Sequence, residues 1–245
     1  MKSNTHYAEE ESMKKSKSLT VSVKTIVLLT ITVLLFQTHL GLRLAQAQER
    51  TSVVTVINLP QPAVDGSVSI EKALLERRSV RSYKDEPLTM ADISQILWAA
   101  QGITEPKRGL RTAPSAKALY LLSTYLLVGN VTGLSVGMYK YQPQGHGIVK
   151  VSDEDKKADL YKAVGQAPIK NAPATLVFSG MSDRSPNPRW MYMEGGHAAQ
   201  NVFLQAQSLK LGTVTIGGFK DEDVRKALNL SEKEQPIYIM PLGRK

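Results

Sequence analysis

Two apolar runs limit what this chain can become. "ALYLLSTYLLV" (Ala118–Val128) and "PATLVFSG" (Pro173–Gly180) carry no charge and are rich in Leu, Val and aromatic residues. Both are short for a helix and read as buried strands. "TVTI" (Thr213–Ile216) and the terminal "IYIMPL" (Ile237–Leu242) add two more strands. "GMYKY" and "GIVKV" stand either side of a Pro/Gly turn and predict a hairpin.

Helical patterns fall between these strands. "SIEKALLERR" (Ser69–Arg78) places Ile70, Ala73 and Leu74 at helical spacing behind a possible Ser69 N-cap. "TMADISQILWAAQGI" opens on Thr89 with Asp92 three on, which is a capping-box start, and Gly102 stops it. Ser152, with Asp155 three on, predicts a helix through Val164. The longest pattern runs from Arg189 to Leu211 and is closed by Gly212. "DEDVRKALNL" predicts one more short helix. Strands and helices alternate loosely around a hairpin, so the fold class is α+β or mixed α/β.

The 245 residues suit one ordinary domain with a substantial core. Residues 67–245 form that domain, and residues 48–66, with Pro60 and Pro62, read as an extended lead-in arm. Residues 1–47 are different. Thr25–Leu42 carries no charge, Lys14, Lys15, Lys17 and Lys24 precede it, and "AQA" (Ala45–Ala47) matches a signal-peptidase site. One reading is a cleaved signal peptide with the mature chain starting near Gln48. The other is an uncleaved N-terminal membrane anchor, although the apolar centre is short of the ~20 residues a span requires. Either places the folded domain outside the cytoplasm, secreted or anchored.

Composition narrows the chemistry. There is no cysteine, hence no disulfide framework, thiolate metal site or thiol nucleophile. The net charge is +9, of which residues 1–47 hold +3. That balance suits acidic small molecules or an anionic surface, but no long Lys/Arg run points to nucleic acid. Dinucleotide, P-loop, zincin and nucleophile-elbow signatures are missing from the sequence. "EGGH" pairs Glu194 with His197 at Glu-x-x-His spacing, but no second pair exists to complete a di-iron site. No metal is expected, and the two residues read as polar groups bonded to backbone or to each other.

"ERRSVRSY" (Glu76–Tyr83) concentrates three guanidiniums and a hydroxyl. Side chains two apart on an extended stretch point the same way. Arg77, Ser79 and Arg81 can therefore converge on a phosphate, with Arg78 facing elsewhere. A solvated basic corner at the end of a helix fits the spacing equally well. Two loops shift the balance. Pro114 and Ser115 precede one buried strand, and Gly217 and Gly218 follow another. Paired glycines at a strand's carboxyl end allow close backbone approach to a flat ligand. Together these features suggest a phosphorylated planar cofactor.

"ALLERRSVRSYKDEPLTMADISQILWAAQGIT", "RTAPSAKALY", "EGGHAAQNVFLQAQSLKLGTVTIGGF" and "IYIMPLG" resemble the nitroreductase family of FMN-dependent oxidoreductases, and within it the SagB-type dehydrogenase branch. The resemblance runs from about Asn58 to the C-terminus. It implies an α+β fold with a mixed sheet flanked by helices, forming an intertwined homodimer with FMN at the subunit interface. By position, Arg77, Arg78, Ser79 and Arg81 match the segment that grips the FMN phosphate and ribityl chain. Pro114, Ser115 and Ala116 match a loop lent by the partner subunit, and Gly217 and Gly218 match backbone at the reactive edge of the ring. Gln200 and Asn201 lie in the matching central helix.

Three departures stand out. Lys117 and Leu121 occupy positions where the branch usually has Gly and Pro. "SDRSPNPRW" replaces the Lys–Tyr pair of azoline-oxidising relatives. The chain stops at Arg244 and Lys245, where relatives extend and add basic phosphate contacts. The resemblance implies hydride transfer through FMN to or from a small molecule or peptide, with NAD(P)H a possible electron donor. It assigns no catalytic acid or base. Tyr120, Tyr192 and Arg189 are candidates for substrate contact. The rival readings are an exported flavin- or ligand-binding protein without turnover, and a structural protein that has lost FMN.

Overall fold

The computed structural model describes residues 55–245 and, ahead of them, Leu28, Thr30, Thr32, Phe36 and Gln37. The chain divides into two units, Met1–Val53 and Val54–Lys245. In the first, Thr32 Oγ1 donates to the Leu28 carbonyl at 2.8 Å. The cleavage site at Ala45–Ala47, most of the leader and the first residues of the arm lie outside the described residues. Among the described residues, no helix is long and apolar enough to cross a membrane.

The second unit starts with β1 (Val56–Asn58), α1 (Ile70–Glu76), β2 (Leu88–Thr89), α2 (Met90–Gln101), β3 (Ile103–Glu105) and β4 (Leu110–Arg111). It continues with β5 (Leu122–Val128), β6 (Val131–Thr132), β7 (Gly137–Gln142), β8 (Gly147–Ser152), α3 (Lys156–Val164) and α4 (Ala167–Asn171). Then come β9 (Ala174–Met181), α5 (Pro188–Ser208), β10 (Leu211–Thr213), α6 (Asp221–Ala227) and β11 (Glu234–Arg244). Seven strands form one antiparallel sheet in the order β1-β8-β7-β5-β9-β11-β10. β2 pairs parallel with β6, and β3 antiparallel with β4.

Side chains alternate across a strand, so the central strands feed two separate cores. Leu126 and Val128 of β5, Leu176 and Phe178 of β9, and Met240 and Leu242 of β11 face α2 and α5. Tyr125 and Leu127, Val177, and Ile239 face the other way, onto Leu160 of α3, Ile169 of α4, Val224 of α6 and Leu228 at its end. Both faces are thus covered, which is why the two apolar runs carry no charge. Each fully buried Leu or Phe contributes about 1.5–3 kcal/mol through removal from water.

The helix starts follow local chemistry. Ser69 caps α1 by accepting from Lys72 N. Thr89 and Asp92 form the expected capping box on α2, worth about 1 kcal/mol. Asp92 also receives Arg244 Nη2 at 2.6 Å, which ties the end of the chain to the start of α2.

Several boundaries differ from the sequence reading. Asp155, not Ser152, caps α3, because Ser152 is still paired in β8. α5 starts at Pro188, which is tolerated in a first turn, and ends at Ser208. Lys210, at φ 58°, turns the chain there, and Gly212 lies inside β10 instead of closing the helix. The arm contributes β1 to the sheet edge. Ala116–Ala118 forms a 3-10 turn, so the first buried strand begins only at Leu122.

Two glycines set how deeply α5 sits. A Cβ on Gly195 would stand 2.8 Å from Ile237 Cγ2, and one on Gly180 would stand 2.7 Å from Met191 Sδ. Their absence lets the helix press onto β9 and β11, which brings its Glu194 to the start of β5.

Candidate functional site

The basic segment runs along the outer edge of β10. Val80 N donates to the Thr213 carbonyl at 2.8 Å, and Ser79 bridges Thr213 in parallel. Val80 packs against Gly212, where a Cβ would stand 2.6 Å from Val80 Cγ1. Tyr83 packs against Gly243 in the same way, and its hydroxyl donates to the Val80 carbonyl at 2.9 Å. Burial pushes the Tyr83 hydroxyl far above its ordinary pKa, with the Arg81 charge opposing. Val80 and Tyr83 therefore face the fold, and Ser79 and Arg81 are exposed.

The three arginines have different surroundings. Arg77 is half-buried, with its guanidinium carbon 5.0 Å from the Phe203 ring centroid of α5. Arg78 Nη1 donates to the carbonyls of Leu75 and Arg77 at 2.9 and 2.8 Å, closing the end of α1. Arg81 makes no ion pair among the described residues. The chain's last residues lie nearby but are engaged. Arg244 is held by Asp92, and Lys245 Nζ donates to Gln207 Oε1 at 2.5 Å.

Gly217 and Gly218 follow four residues after Thr213. Ile216 and Ile239 exchange backbone hydrogen bonds of 2.8 and 3.0 Å just before them. Both glycines are exposed, and neither N–H finds an acceptor among the described residues. A Cβ at Gly218 would meet nothing within 4 Å, and one at Gly217 would lie 3.1 Å from the Tyr238 ring. Four extended residues span at most about 14 Å. One sheet edge therefore carries Ser79 and Arg81 at one end and two bare N–H groups at the other.

Pro114, Ser115 and Ala116 are held by α5. Ser115 Oγ donates to Glu194 Oε2 at 2.7 Å and accepts from Tyr120 N at 2.9 Å. Glu194 is 1% exposed and also accepts from Leu121 N at 3.0 Å and Gln101 Nε2 at 3.3 Å. His197 Nδ1 lies 3.0 Å from the Pro114 carbonyl, and Asn201 Nδ2 donates to the Thr112 carbonyl at 3.2 Å. Glu194 and His197 thus bond to one loop at separate points and do not form a joint ligand pair. Gln200 is exposed on the same helix.

Within one chain the two groups do not meet on α5. Residues advance about 100° each around a helix. Glu194, His197 and Asn201, which hold the loop, then lie roughly 130° around α5 from Phe203 and Gln207, which neighbour the basic segment.

Sequence reasoning missed Glu194, Gln101 and Arg111 as the anchors of this loop. Arg111 Nη1 donates to Gln101 Oε1 at 2.8 Å, and its guanidinium carbon lies 4.4 Å from the Tyr120 ring centroid. Burial lowers the Arg111 pKa, with the Glu194 charge opposing. The only available signal was a Glu opening the glycine pair of a long helix, which spacing alone cannot direct to a loop 79 residues earlier. Lys117 takes φ 54° and ψ 23°, a left-handed conformation that glycine adopts without strain. Among the candidate substrate contacts, Tyr192 and Arg189 are exposed in the first turns of α5, and Tyr120 is half-buried under Arg111.

Residues 74–244 match the nitroreductase family. A candidate nitroreductase of Methanocaldococcus jannaschii is 43% identical over 185 residues, covering 73% of this chain and 92% of that protein. The crystal structure of a candidate nitroreductase from Ralstonia eutropha superimposes with a TM-score of 0.67 at 28% identity, covering 77% of this chain and 89% of the other. A Desulfovibrio desulfuricans structure of the same description, in complex with FMN, shares the fold with a TM-score of 0.55 at 19% identity, covering 72% and 86%.

Proposed function

Because this chain belongs to the nitroreductase family, whose members are FMN-dependent oxidoreductases, we propose that its β10 edge is the FMN site and that it passes hydride between a donor and a small-molecule or peptide substrate. The observation that carries this reading is the shared edge. Ser79 and Arg81, whose side chains have no partner among the described residues, sit at one end of it, and the N–H groups of Gly217 and Gly218, without an acceptor among the same residues, at the other.

The residues present fit the cofactor. Arg81 and the half-buried Arg77 supply fixed positive charge for a phosphate, and Ser79 supplies a neutral donor. The open space over Gly218 admits a flat ring against the backbone. Bound FMN supplies the hydride chemistry. The Gly217 and Gly218 N–H groups would donate toward the edge of a bound ring and favour negative charge there. No side-chain acid or base is required in this account, in keeping with the missing dyad. Arg78 stays on the carbonyls of α1 and shapes the segment's exit from the helix.

Pro114, Ser115 and Ala116 complete the site of a second copy, in a homodimer. Their position on a different flank of α5 from the basic segment supports this arrangement. The sequence motifs support a SagB-type dehydrogenase. The replacement of the Lys–Tyr pair by Ser182–Trp190 favours a substrate other than a peptide azoline. The lysines, apolar centre and "AQA" of the leader support export, through a cleaved signal or an N-terminal anchor, and NAD(P)H is one candidate donor.

An absorbance spectrum of the purified protein tests the reading. A bound-flavin band should bleach with a reductant and recover on addition of a nitroaromatic or quinone acceptor. A colourless protein that takes up no FMN would overturn it. A band that does not cycle would leave a flavin-binding protein without turnover.

A further inference from the structure

The turn that continues the Pro114–Ala116 loop gathers three cations, and among the described residues only the charge of buried Glu194, acting on Arg111, offsets them. Lys117 Nζ lies 5.4 Å from the Trp190 ring centroid. Arg184 Nη2 donates to the Leu119 carbonyl at 3.2 Å. Arg111 packs on Tyr120, and its Nε is buried with no hydrogen-bond partner. Burial lowers the Arg111 pKa, the Glu194 charge opposes this, and the Arg184 charge adds a smaller push downward. None of the three makes an ion pair among the described residues. Asp183, beside Arg184, pairs with Lys233 at 3.0 Å, and Glu194 is engaged by Ser115 and the β5 backbone.

The backbone at this turn is unusual as well. Lys117, Ala118 and Tyr120 take φ of 54°, 53° and 48°. Side chains with a Cβ disfavour that region, and such outliers persist where the surroundings hold them. A surface lysine needed only for solubility does not require a left-handed residue. Here the left-handed turn sets an ammonium over Trp190, one guanidinium on the Leu119 carbonyl and another on the Tyr120 ring.

We propose that this turn is an anion-recognition element of the substrate site, in which Lys117 and Arg184, backed by Arg111, receive a carboxylate or phosphate group of the substrate. The proposal rests on the reading that the Pro114–Ala116 loop borders bound FMN. Lys117 follows that loop directly, so an anion held there is at the rim of the same site. Trp190 supplies an apolar flank for the part of the substrate beside the charge.

The test titrates the full-length protein with benzoate, phenyl phosphate and benzamide, which share a ring and differ in charge. Tryptophan fluorescence and the flavin band report binding. At least one anion should bind about tenfold more tightly than benzamide. Lys117→Gly and Arg184→Gln should each cut that preference severalfold and leave benzamide unchanged. The anion that loses affinity identifies the group recognised, carboxylate or phosphate. Lys117→Gly should also raise Tm, because glycine relieves the left-handed strain, so lost binding cannot be blamed on unfolding. Equal weakening of benzamide, or anion affinities that do not change, would overturn the proposal. A normal flavin band without anion preference sinks this proposal alone. Anion preference without any flavin sinks the assigned cofactor instead.

Discussion

The Glu194 carboxylate receives the Ser115 hydroxyl at 2.7 Å and the Leu121 N–H at 3.0 Å, so one buried side chain of α5 fixes both the loop and the start of β5. Hydrogen bonds to a charged acceptor contribute about 1.5–3 kcal/mol each. Glu194→Gln places an amide N–H₂ among donors and leaves at least one unpaired. We expect about 2 kcal/mol of lost stability, a fall in Tm of roughly 4–8 °C. Calorimetry on the purified variant checks this, and an unchanged Tm would show that the network contributes little.

Close approach of α5 to the sheet predicts a specific coupling. Gly195→Ala would set a Cβ 2.8 Å from Ile237 Cγ2 and should cost about 1–3 kcal/mol. Ile237→Ala removes that methyl group, so Gly195→Ala should be milder in its presence. A double-mutant cycle measured by urea unfolding should give a coupling of about 1 kcal/mol. Additive effects would mean that the helix shifts to make room.

His146 links the arm to the domain and should give a pH dependence. Ser94 Oγ donates to the Pro60 carbonyl, so His146 Nε2, 2.7 Å from Ser94 Oγ, carries the imidazole proton. Nδ1 then accepts from the Tyr141 hydroxyl at 2.8 Å. Burial lowers the His146 pKa below its ordinary 6.5, with the Pro60 carbonyl opposing. The unfolded chain therefore binds the proton more readily, and stability rises with pH in this window. The contribution of His146 is complete above about 6.5 and is lost as pH falls through the lowered folded value. Between pH 7.5 and 5, Tm should drop more in the wild type than in His146→Asn, a replacement that tolerates the φ of 48°. Parallel pH profiles would contradict this.

If the Pro114–Ala116 loop completes a second copy's site, flavin retention and dimerisation are linked. Light scattering behind size exclusion should give about twice the chain mass for the flavin-loaded protein. A flavin-loaded monomer would remove the proposed role of the loop.

Much of the fold was legible because burial leaves periodic marks. The uncharged runs of β5 and β9, the capping box at Thr89 and the Ser69 cap all lie where the sequence places them. Boundaries failed where tertiary contacts overrode local signals. Gly212 looked like a helix stop, yet its missing side chain serves the approach of Val80. The apolar run at Ala118–Leu121 looked like strand, yet Ser115 and Glu194 turn it into a left-handed corner. At the candidate site, the alternation of Ser79 and Arg81 against Val80 could be read from spacing. The attachment of Arg78 to its own helix end, and of Arg244 to Asp92, depended on neighbours that spacing does not specify.

The most direct test of the assigned cofactor edge is a fluorescence titration of flavin-free protein with FMN and with riboflavin, which lacks the phosphate. Arg81→Ala removes an exposed guanidinium that makes no ion pair among the described residues and should weaken FMN at least about tenfold, which is ~1.4 kcal/mol. Riboflavin should bind wild type and Arg81→Ala almost equally. Val80→Thr, whose side chain packs against Gly212 on the opposite side, should leave FMN affinity nearly unchanged. Equal weakening of FMN and riboflavin by Arg81→Ala would show that the segment does not read the phosphate, and the basic stretch would then be a solvated corner.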